Sequence, residues 1–373
     1  MHQLQQPRHR LNYHFRSYYF PSDNKRKHKT KPSSTTDQHQ ISTIETQPPS
    51  GAVSYPDLQL FHNFVIKTFG TLADNPRTED VWQNHIVQWG ITFPTILHLI
   101  LAISALHLGH ENPSVRDQYI QQADDHFTFG VRSVTSILTQ LNQDNCQKVY
   151  ISAVLICFNY FARGPRAGEY LIFSDDGPGE WLTLMHGVKF IVQSYREKVF
   201  SGILKPEPGL EDDTMDSFFQ SEMNEYTMRI ETVQSLAEKE IAESDREIYD
   251  AALKDLLSVA REVYVKRSSQ IRAAGLMQVL IGWLYRLPGE MVSLLEQKEP
   301  VGLIILAHWG MLLKYMKSVW FMEGWDEHIV FGVRSALPAK LQHWIEWPEE
   351  KDFGPTVLVP REVHEGPGEG FDA

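Results

Sequence analysis

The longest apolar run in the chain is Phe93–His110, which reads FPTILHLILAISALHLGH. Pro94 suits the first turn of a helix, where its missing N–H is not needed. Gly109 suits the position after a helix end, where a left-handed backbone is favoured. Apolar residues cover every face between them, which predicts a helix buried on all sides. The run is shorter than the roughly 20 apolar residues that a bilayer span needs, so we expect no membrane span.

Helical spacing recurs along most of the chain. One predicted stripe runs from Leu58 through Val65 to Leu72, and a second intensely apolar helix is predicted in the segment 300–320. No stretch alternates with period two for long enough to predict a sheet. We therefore predict an all-α fold: a single large helical domain over residues 55–350, with about ten helices around buried central ones.

Composition and charge divide the chain further. Residues 1–50 hold eight Lys or Arg and three acids, a net charge of +5. Because the whole chain has a net charge of −12, the remaining residues carry −17. We predict a disordered basic tail at 1–54 and a flexible tail at 351–373. An acidic globule does not favour binding to nucleic acid, so DNA binding by this chain alone is not expected. A short basic run in the tail is a candidate nuclear localisation signal, formed by Lys25, Arg26, Lys27, Lys29 and Lys31.

Two features indicate an intracellular protein. The chain has only two cysteines, Cys146 and Cys157, which are not at a metal-binding spacing and fit reduced thiols. The first 50 residues contain no apolar core of a signal peptide.

Few residue patterns point to chemistry. His107 and His110 flank the predicted helix end, where histidines can interact with the last carbonyl groups, so a metal site there is not favoured. No zinc-protease, nucleophile-elbow or phosphate-loop motif is present. We predict no catalytic residue, no metal and no cofactor. His98 and Ser104 are expected on different faces of the apolar helix. Two interpretations stay open: they are hydrogen-bonded groups of the core, or they orient the hydroxyl of a ligand.

Several motifs together resemble a known family. FPTILHLILAISALHL, then Trp181-Leu182 with Gly187, then Leu306-Ala307-His308, and finally the Trp344–Pro348 segment occur in the order seen in one class of regulators. They resemble the C-terminal regulatory domain of fungal zinc-binuclear-cluster transcription factors, in the sterol-uptake-control branch. The resemblance covers about residues 55–350 and implies a helical, often dimeric regulatory domain with a hydrophobic pocket. It also implies residence in the nucleus.

The family's zinc cluster needs six cysteines near the N-terminus, whereas residues 1–145 contain none. Two explanations stay open: an exon is missing from the sequence, or the regulator lacks its own DNA-binding module. The leading hypothesis is a non-enzymatic regulator that senses an apolar ligand, such as a sterol, and controls sterol or secondary-metabolite genes. The alternatives are a homodimerising or heterodimerising partner of complete factors and, with least support, a helical biosynthetic enzyme.

The predicted ligand pocket would lie between the two most apolar helices. Burial alone places it around 97–108 and 303–313. The candidate lining residues are His98, Ala102, Ser104, Leu306 and Trp309.

Overall fold

Helices form most of the described chain. A computed structural model describes residues 54–206 and 215–346. The first helix, α1, spans residues 55–71, and α2 spans residues 76–92. Each contains a π-helical stretch, Phe64–Thr68 in α1 and Val81–Ile86 in α2. Ser54 caps α1: its hydroxyl accepts the Asp57 N–H and the Asp57 carboxylate accepts the Ser54 N–H.

Ten further helices and one short hairpin follow in the described residues. In chain order they are α3 (Pro94–Glu111), α4 (Arg116–Leu138), α5 (Cys146–Ala162), α6 (Glu180–Val199), α7 (Ser217–Glu240), α8 (Arg246–Ser268), α9 (Met277–Arg286), α10 (Gly289–Glu296), α11 (Pro300–Leu312) and α12 (Trp325–Ala336). Short 3₁₀ turns join several of them, among them Pro113–Val115 before α4 and Trp320–Met322 before α12.

Helix α3 is the predicted buried helix, and it begins at Pro94 as expected. It packs against α1, α2, α4 and α5, which bury most of its residues. The predicted end at Gly109 is wrong, because α3 continues to Glu111 and Gly109 has no left-handed backbone. Gly109 instead allows close packing: a Cβ there would lie 3.3 Å from the Tyr119 Cβ on α4.

The second apolar helix, α11, begins at Pro300 as predicted, but it ends at Leu312 rather than near residue 320, and a 3₁₀ turn over Leu313–Met316 follows it. Helices α3 and α11 have different principal neighbours. Helix α11 packs against α7, α8, α10 and α12. The Trp309 ring of α11 stacks on Trp283 of α9 with centroids 5.9 Å apart. The Trp309 N–H donates to the Leu280 carbonyl at 2.9 Å, so the polar atom of this fully buried ring is satisfied. One contiguous core reaches from Phe64 to Ile345.

The stripe predicted for α1 differs from the observed one. Leu58 is 53% exposed, whereas Leu60, Asn63, Phe64 and Thr68 are buried. The buried face thus includes two polar residues that apolar spacing cannot identify. The π-helical stretch adds a further shift, because it changes the number of residues per turn.

The prediction of no strands needs a small correction. Glu169–Tyr170 (β1) and Phe173–Ser174 (β2) pair antiparallel in a short hairpin between α5 and α6. The hairpin packs against α12 at Gly332, where a Cβ would overlap the Tyr170 ring. Two-residue strands are too short to show an alternating pattern in the sequence.

The predicted tails lie outside the described residues. This holds for residues 1–53 and 347–373, and for the basic run Lys25–Lys31. The tails stay predictions, except at Ser54, which caps α1 instead of belonging to the N-terminal tail. Across the described ranges, no helix combines the length and the apolarity that a membrane crossing requires.

Candidate functional site

A buried polar network joins α1 to α3 at the π-helical stretch. The Asn63 side-chain amide donates to the Thr68 hydroxyl and to the Ser104 hydroxyl, each at 3.1 Å. The Ser104 hydroxyl donates to the Leu60 carbonyl at 2.6 Å. The Thr68 hydroxyl lies 2.9 Å from His107 Nδ1. Because polar groups buried without partners are costly, this network fixes the position of α1 on α3.

His107 connects the network to an aromatic side chain from the far end of the chain. Its ring stacks on Trp320, with centroids 4.8 Å apart. Burial lowers the pKa of His107 to about 4, although Glu111 opposes this shift. His107 is therefore neutral at physiological pH.

Trp320 is anchored on one side and borders a cavity on the other. Its indole N–H donates to the Thr71 hydroxyl of α1 at 3.0 Å, and that hydroxyl donates to the Thr68 carbonyl at 2.7 Å. Its ring also lies 5.7 Å from the ring of His110. A single side chain thus contacts the network, the end of α3 and the cavity.

The cavity beside Trp320 has a volume of about 380 Å³. This is within the range of small-molecule sites, which is roughly 300–1,000 Å³. It lies where α3, the start of α4, the turn after α5 and the 320–323 segment meet. Its lining is made of Leu106, Gly109, His110, Arg116, Ile120, Phe161, Ala162, Arg163, Gly164, Pro165, Arg166, Trp320, Phe321 and Glu323.

The wall of the cavity combines apolar side chains with charged ones. Leu106 belongs to a small apolar cluster with Leu101, Ala105 and Ala123 on α3 and α4. The lining also carries three arginines and one carboxylate, that of Glu323. The Glu323 carboxylate lies 3.9 Å from His110 Nδ1.

Two of the three arginines contact carboxylates and aromatic rings that do not themselves line the cavity. Arg163 pairs with Asp124 at 2.7 Å and lies over the Phe127 ring at 4.5 Å. Arg166 pairs with Glu180 and lies over the Tyr160 ring at 5.6 Å. Such contacts set the direction of each guanidinium group.

The turn that presents these arginines depends on two glycines. Gly164 (φ 81°) and Gly324 (φ 78°) both have left-handed backbones, which side chains with a Cβ rarely adopt. A Cβ on Gly324 would approach Pro165 to 3.7 Å, so the turn after α5 and the start of α12 lie next to each other. This proximity brings Glu323 to the wall that carries Arg163.

The five residues of the predicted pocket are not brought together around this cavity. None of them lines it or the other described cavity, an apolar void of about 10 Å³ between α4, α5 and α6. Ala102, Leu306 and Trp309 are fully buried. The apolar pocket between α3 and α11 stays a prediction.

His98 and Ser104 lie in separate environments, as their helical positions indicate. Ser104 belongs to the α1 network, whereas His98 Nδ1 lies 2.9 Å from His126 Nδ1. His126 Nε2 in turn lies 3.3 Å from the Asp57 carboxylate. Burial lowers the pKa of His98 to about 4, and His126 adds to the shift. Asp57 thereby ties the first turn of α1 to α4.

The residues that form the site carry little signal in the sequence. Arg116, Arg163 and Trp320 come from distant segments, and none stands in a recognisable motif. A glycine and a proline next to Arg163 were the one local indication, since they predict a turn there. Within the described part of the chain, no cluster of three or more His, Cys, Asp or Glu residues could hold a metal ion.

Comparison with known proteins places these features in a family. The sequence profile described as "Fungal specific transcription factor domain" matches residues 59–258. A "Zn(2)-C6 fungal-type transcription factor" of Gibberella zeae is 25% identical over 324 residues, which is 78% of this chain and 61% of the relative. The similar factor afumD of Aspergillus fumigatus is 22% identical over 265 residues, which is 68% of this chain and 66% of the relative.

A third relative is named for its biological process. "Sterol uptake control protein 2" of Saccharomyces cerevisiae is 21% identical over 145 residues, which is 38% of this chain and 15% of that protein. The chain therefore spans less than two thirds of the length of each of these relatives.

Proposed function

The chain belongs to the fungal specific transcription factor domain family, and we propose that its helical core is the ligand-responsive regulatory unit of a transcription regulator. The observation that carries this proposal is the cavity beside Trp320 and its connection to α1. Cavity, Trp320, His107 and the α1 network form one continuous series of contacts. Family membership indicates regulation rather than catalysis.

This series of contacts offers a way for a bound molecule to act at a distance. A ligand that displaces the Trp320 ring changes its stacking on His107 and its hydrogen bond to Thr71. The Thr71 bond holds α1 directly, and His107 of α3 contacts it through Thr68. Helix α1 is the first described helix and follows residues 1–53 in the chain. A ligand shifts such an equilibrium only as far as it prefers one arrangement over the other. The ligand-bound arrangement would therefore alter what α1 and the preceding segment present to partners.

An apolar small molecule is the partner class that the family resemblance supports. A sterol is one candidate, in line with the printed name of the yeast relative. Control of sterol or secondary-metabolite genes is the corresponding physiological proposal. We place this activity in the nucleus, as for transcription factors in general.

A reporter assay tests the regulatory function. The full chain is fused to an unrelated DNA-binding domain in yeast, and reporter output is measured with sterol synthesis intact and inhibited, and with added lipids. We expect output to change with at least one treatment, and Ile120→Trp, which fills the cavity, to abolish the change. Arg196→Ala, an exposed arginine of α6 outside the cavity, is the control. A reporter that never responds, in any fusion that is expressed and nuclear, would contradict the proposal.

Homodimerisation is a second candidate function, and the exposed face of α1 favours it. Tyr55, Leu58 and Ile66 are 90%, 53% and 53% exposed and share one face of the helix. Apolar stripes of this kind are typical of helix–helix contacts between protein chains. We expect Leu58→Lys to shift the full chain from dimer to monomer in light scattering. Unchanged mass for both proteins at micromolar concentration would contradict a dimer built on this face.

A further inference from the structure

The charge of the cavity wall specifies the ligand further than the family does. We propose that the cavity beside Trp320 binds an amphipathic carboxylate, with its acidic head at Arg116 and its apolar body against Leu106, Ile120 and the Trp320 ring. The inference deepens the proposed regulatory function and rests on it for its biological meaning, whereas the binding itself can be tested independently.

The first observation is the sign of the charges around the cavity. The lining holds three arginines and the carboxylate of Glu323. Asp124 and Glu180 already pair with Arg163 and Arg166, so the charge open to a ligand is that of Arg116. A cation in a cavity wall raises the local concentration of anionic ligands.

The second observation is the availability of Arg116. The guanidinium groups of Arg163 and Arg166 are committed to Asp124 and Glu180. Arg116 is exposed and has no carboxylate partner among the residues that the structure describes. Since Arg163 and Arg166 are held in place, Arg116 is the donor that can turn toward a ligand head and bind it bidentately.

The position of Arg116 adds to its effect. It is the first residue of α4, a helix of 23 residues whose N-terminus has no side-chain cap. The positive end of the helix dipole therefore lies beside the cavity and favours an anion. Asp117 in the same turn is negative, but it does not line the cavity.

The third observation concerns the rest of the ligand. Leu106 of the small apolar cluster lines the cavity together with Ile120 and Trp320, which pack against that cluster. A small inorganic anion would leave this apolar surface uncovered. A neutral lipid that covers Arg116 would not pair with it, which is unfavourable for a charged group. An apolar body with one acidic head satisfies both parts of the wall.

A matched pair of probes tests the ligand class. Isothermal titration of the full chain with decanoate and with decanol, both below their aggregation limits, compares ligands that differ in the head group alone. We expect decanoate to bind about tenfold or more tightly than decanol, which is the effect of one charge-assisted bidentate contact. Arg116→Ala should remove this preference and leave decanol binding unchanged.

Two further variants make the result specific. Arg196→Ala removes an exposed arginine away from the cavity and should leave decanoate binding as in the native chain. Ile120→Trp should abolish binding of both probes while the far-ultraviolet helical spectrum is retained. If Ile120→Trp loses the helical spectrum, it is unfolded, and Arg116→Ala alone decides the result. Arg116 is exposed, so its replacement does not disturb the core.

The outcomes separate the ligand class from the regulatory function. Equal affinity for decanol and decanoate, or decanoate binding that is unchanged in Arg116→Ala, would overturn the carboxylate site. Binding of a neutral sterol in the absence of decanoate binding would also overturn it, and a sterol-responsive reporter would still support the regulatory function. Arg116-dependent decanoate binding with an unresponsive reporter would support the site and contradict the regulation.

Discussion

Replacement of Ser104 by alanine tests whether the buried network holds α1 on α3. The Ser104 side chain is fully buried, and its hydroxyl makes two hydrogen bonds. It donates to the Leu60 carbonyl at 2.6 Å and accepts from the Asn63 amide at 3.1 Å. Both partners belong to α1, so Ser104→Ala removes contacts between two helices rather than within one.

The expected cost follows from these two bonds. Each is worth roughly 1 kcal/mol net. The full penalty of an unpaired group does not apply, because the Leu60 carbonyl keeps the Phe64 N–H and the Asn63 amide keeps Thr68. Alanine returns roughly 0.5 kcal/mol through its higher helix propensity. We therefore expect Ser104→Ala to lower the free energy of unfolding by about 1.5 kcal/mol.

Ser152 is a matched control on α5. It is equally buried and helical, but its hydroxyl donates at 2.8 Å to Lys148, four residues earlier in the same helix. Such a bond adds little, because that carbonyl already accepts a helical N–H. Ser152→Ala gains the same helix propensity, so we expect its free energy of unfolding to stay the same or to rise by up to about 0.5 kcal/mol.

Urea unfolding of both variants, followed by circular dichroism and tryptophan fluorescence, measures the difference. Ser104→Ala should lower the midpoint concentration without changing the slope of free energy against urea, and Ser152→Ala should not lower it. Equal midpoints for the two variants would refute the reasoning, because they would show that the contact to α1 contributes nothing beyond a helical back-bond. Faster amide exchange of α1 in Ser104→Ala alone would locate the loss.

The remaining predictions concern pH, close packing and thiol reactivity. The pKa of His107 is about 4 in the folded chain and near 6.5 when unfolded, so the unfolded chain binds the extra proton as pH falls from 6.5 to 4. The contribution of His107 to stability is thus fully present above pH 6.5 and declines below it, by at most about 3 kcal/mol. The urea midpoint of His107→Gln should therefore depend less on pH between 6.5 and 4 than that of the native chain. Gly332→Ala should lower the melting temperature because its methyl group meets the Tyr170 ring, whereas Gly70→Ala, with open space around it, should raise it slightly. Cys157 is buried with its pKa raised to about 12, so it should react with a thiol reagent in urea and not in the native chain; rapid native labelling would contradict that burial.

The helical architecture could be predicted because its signals are local. Pro94 and the continuous apolar run are sufficient to place α3, and the apolar segment that starts at Pro300 does the same for α11. The errors arise where tertiary contacts decide the outcome. Gly109 was assigned to a helix end, but it serves the approach of Tyr119, and a lone glycine pattern does not distinguish these two uses.

The polar face of α1 shows why apolar spacing alone misplaced its orientation. Asn63 and Thr68 are ordinary polar residues in the sequence, and Leu58 is an ordinary apolar one. The two polar residues are buried and the leucine is exposed, because Ser104 and His107 of α3 form hydrogen bonds with Asn63 and Thr68 at that interface. The energy of such a network depends on which partners meet, and that is a property of the fold.

The candidate site extends the same reasoning to charge. Arg116 begins α4, Arg163 follows α5, and Trp320 precedes α12, so no window of sequence contains two of them. Their proximity results from the close packing of α3 on α4 and from the turn at Gly164. An arginine open to a ligand is therefore compatible with an acidic chain, and the overall charge that argued against nucleic acid gave no information about small anions. The few groups that line a cavity set its ligand class. We therefore expect Arg116, which has no carboxylate partner among the described residues, to decide between a carboxylate and a neutral lipid.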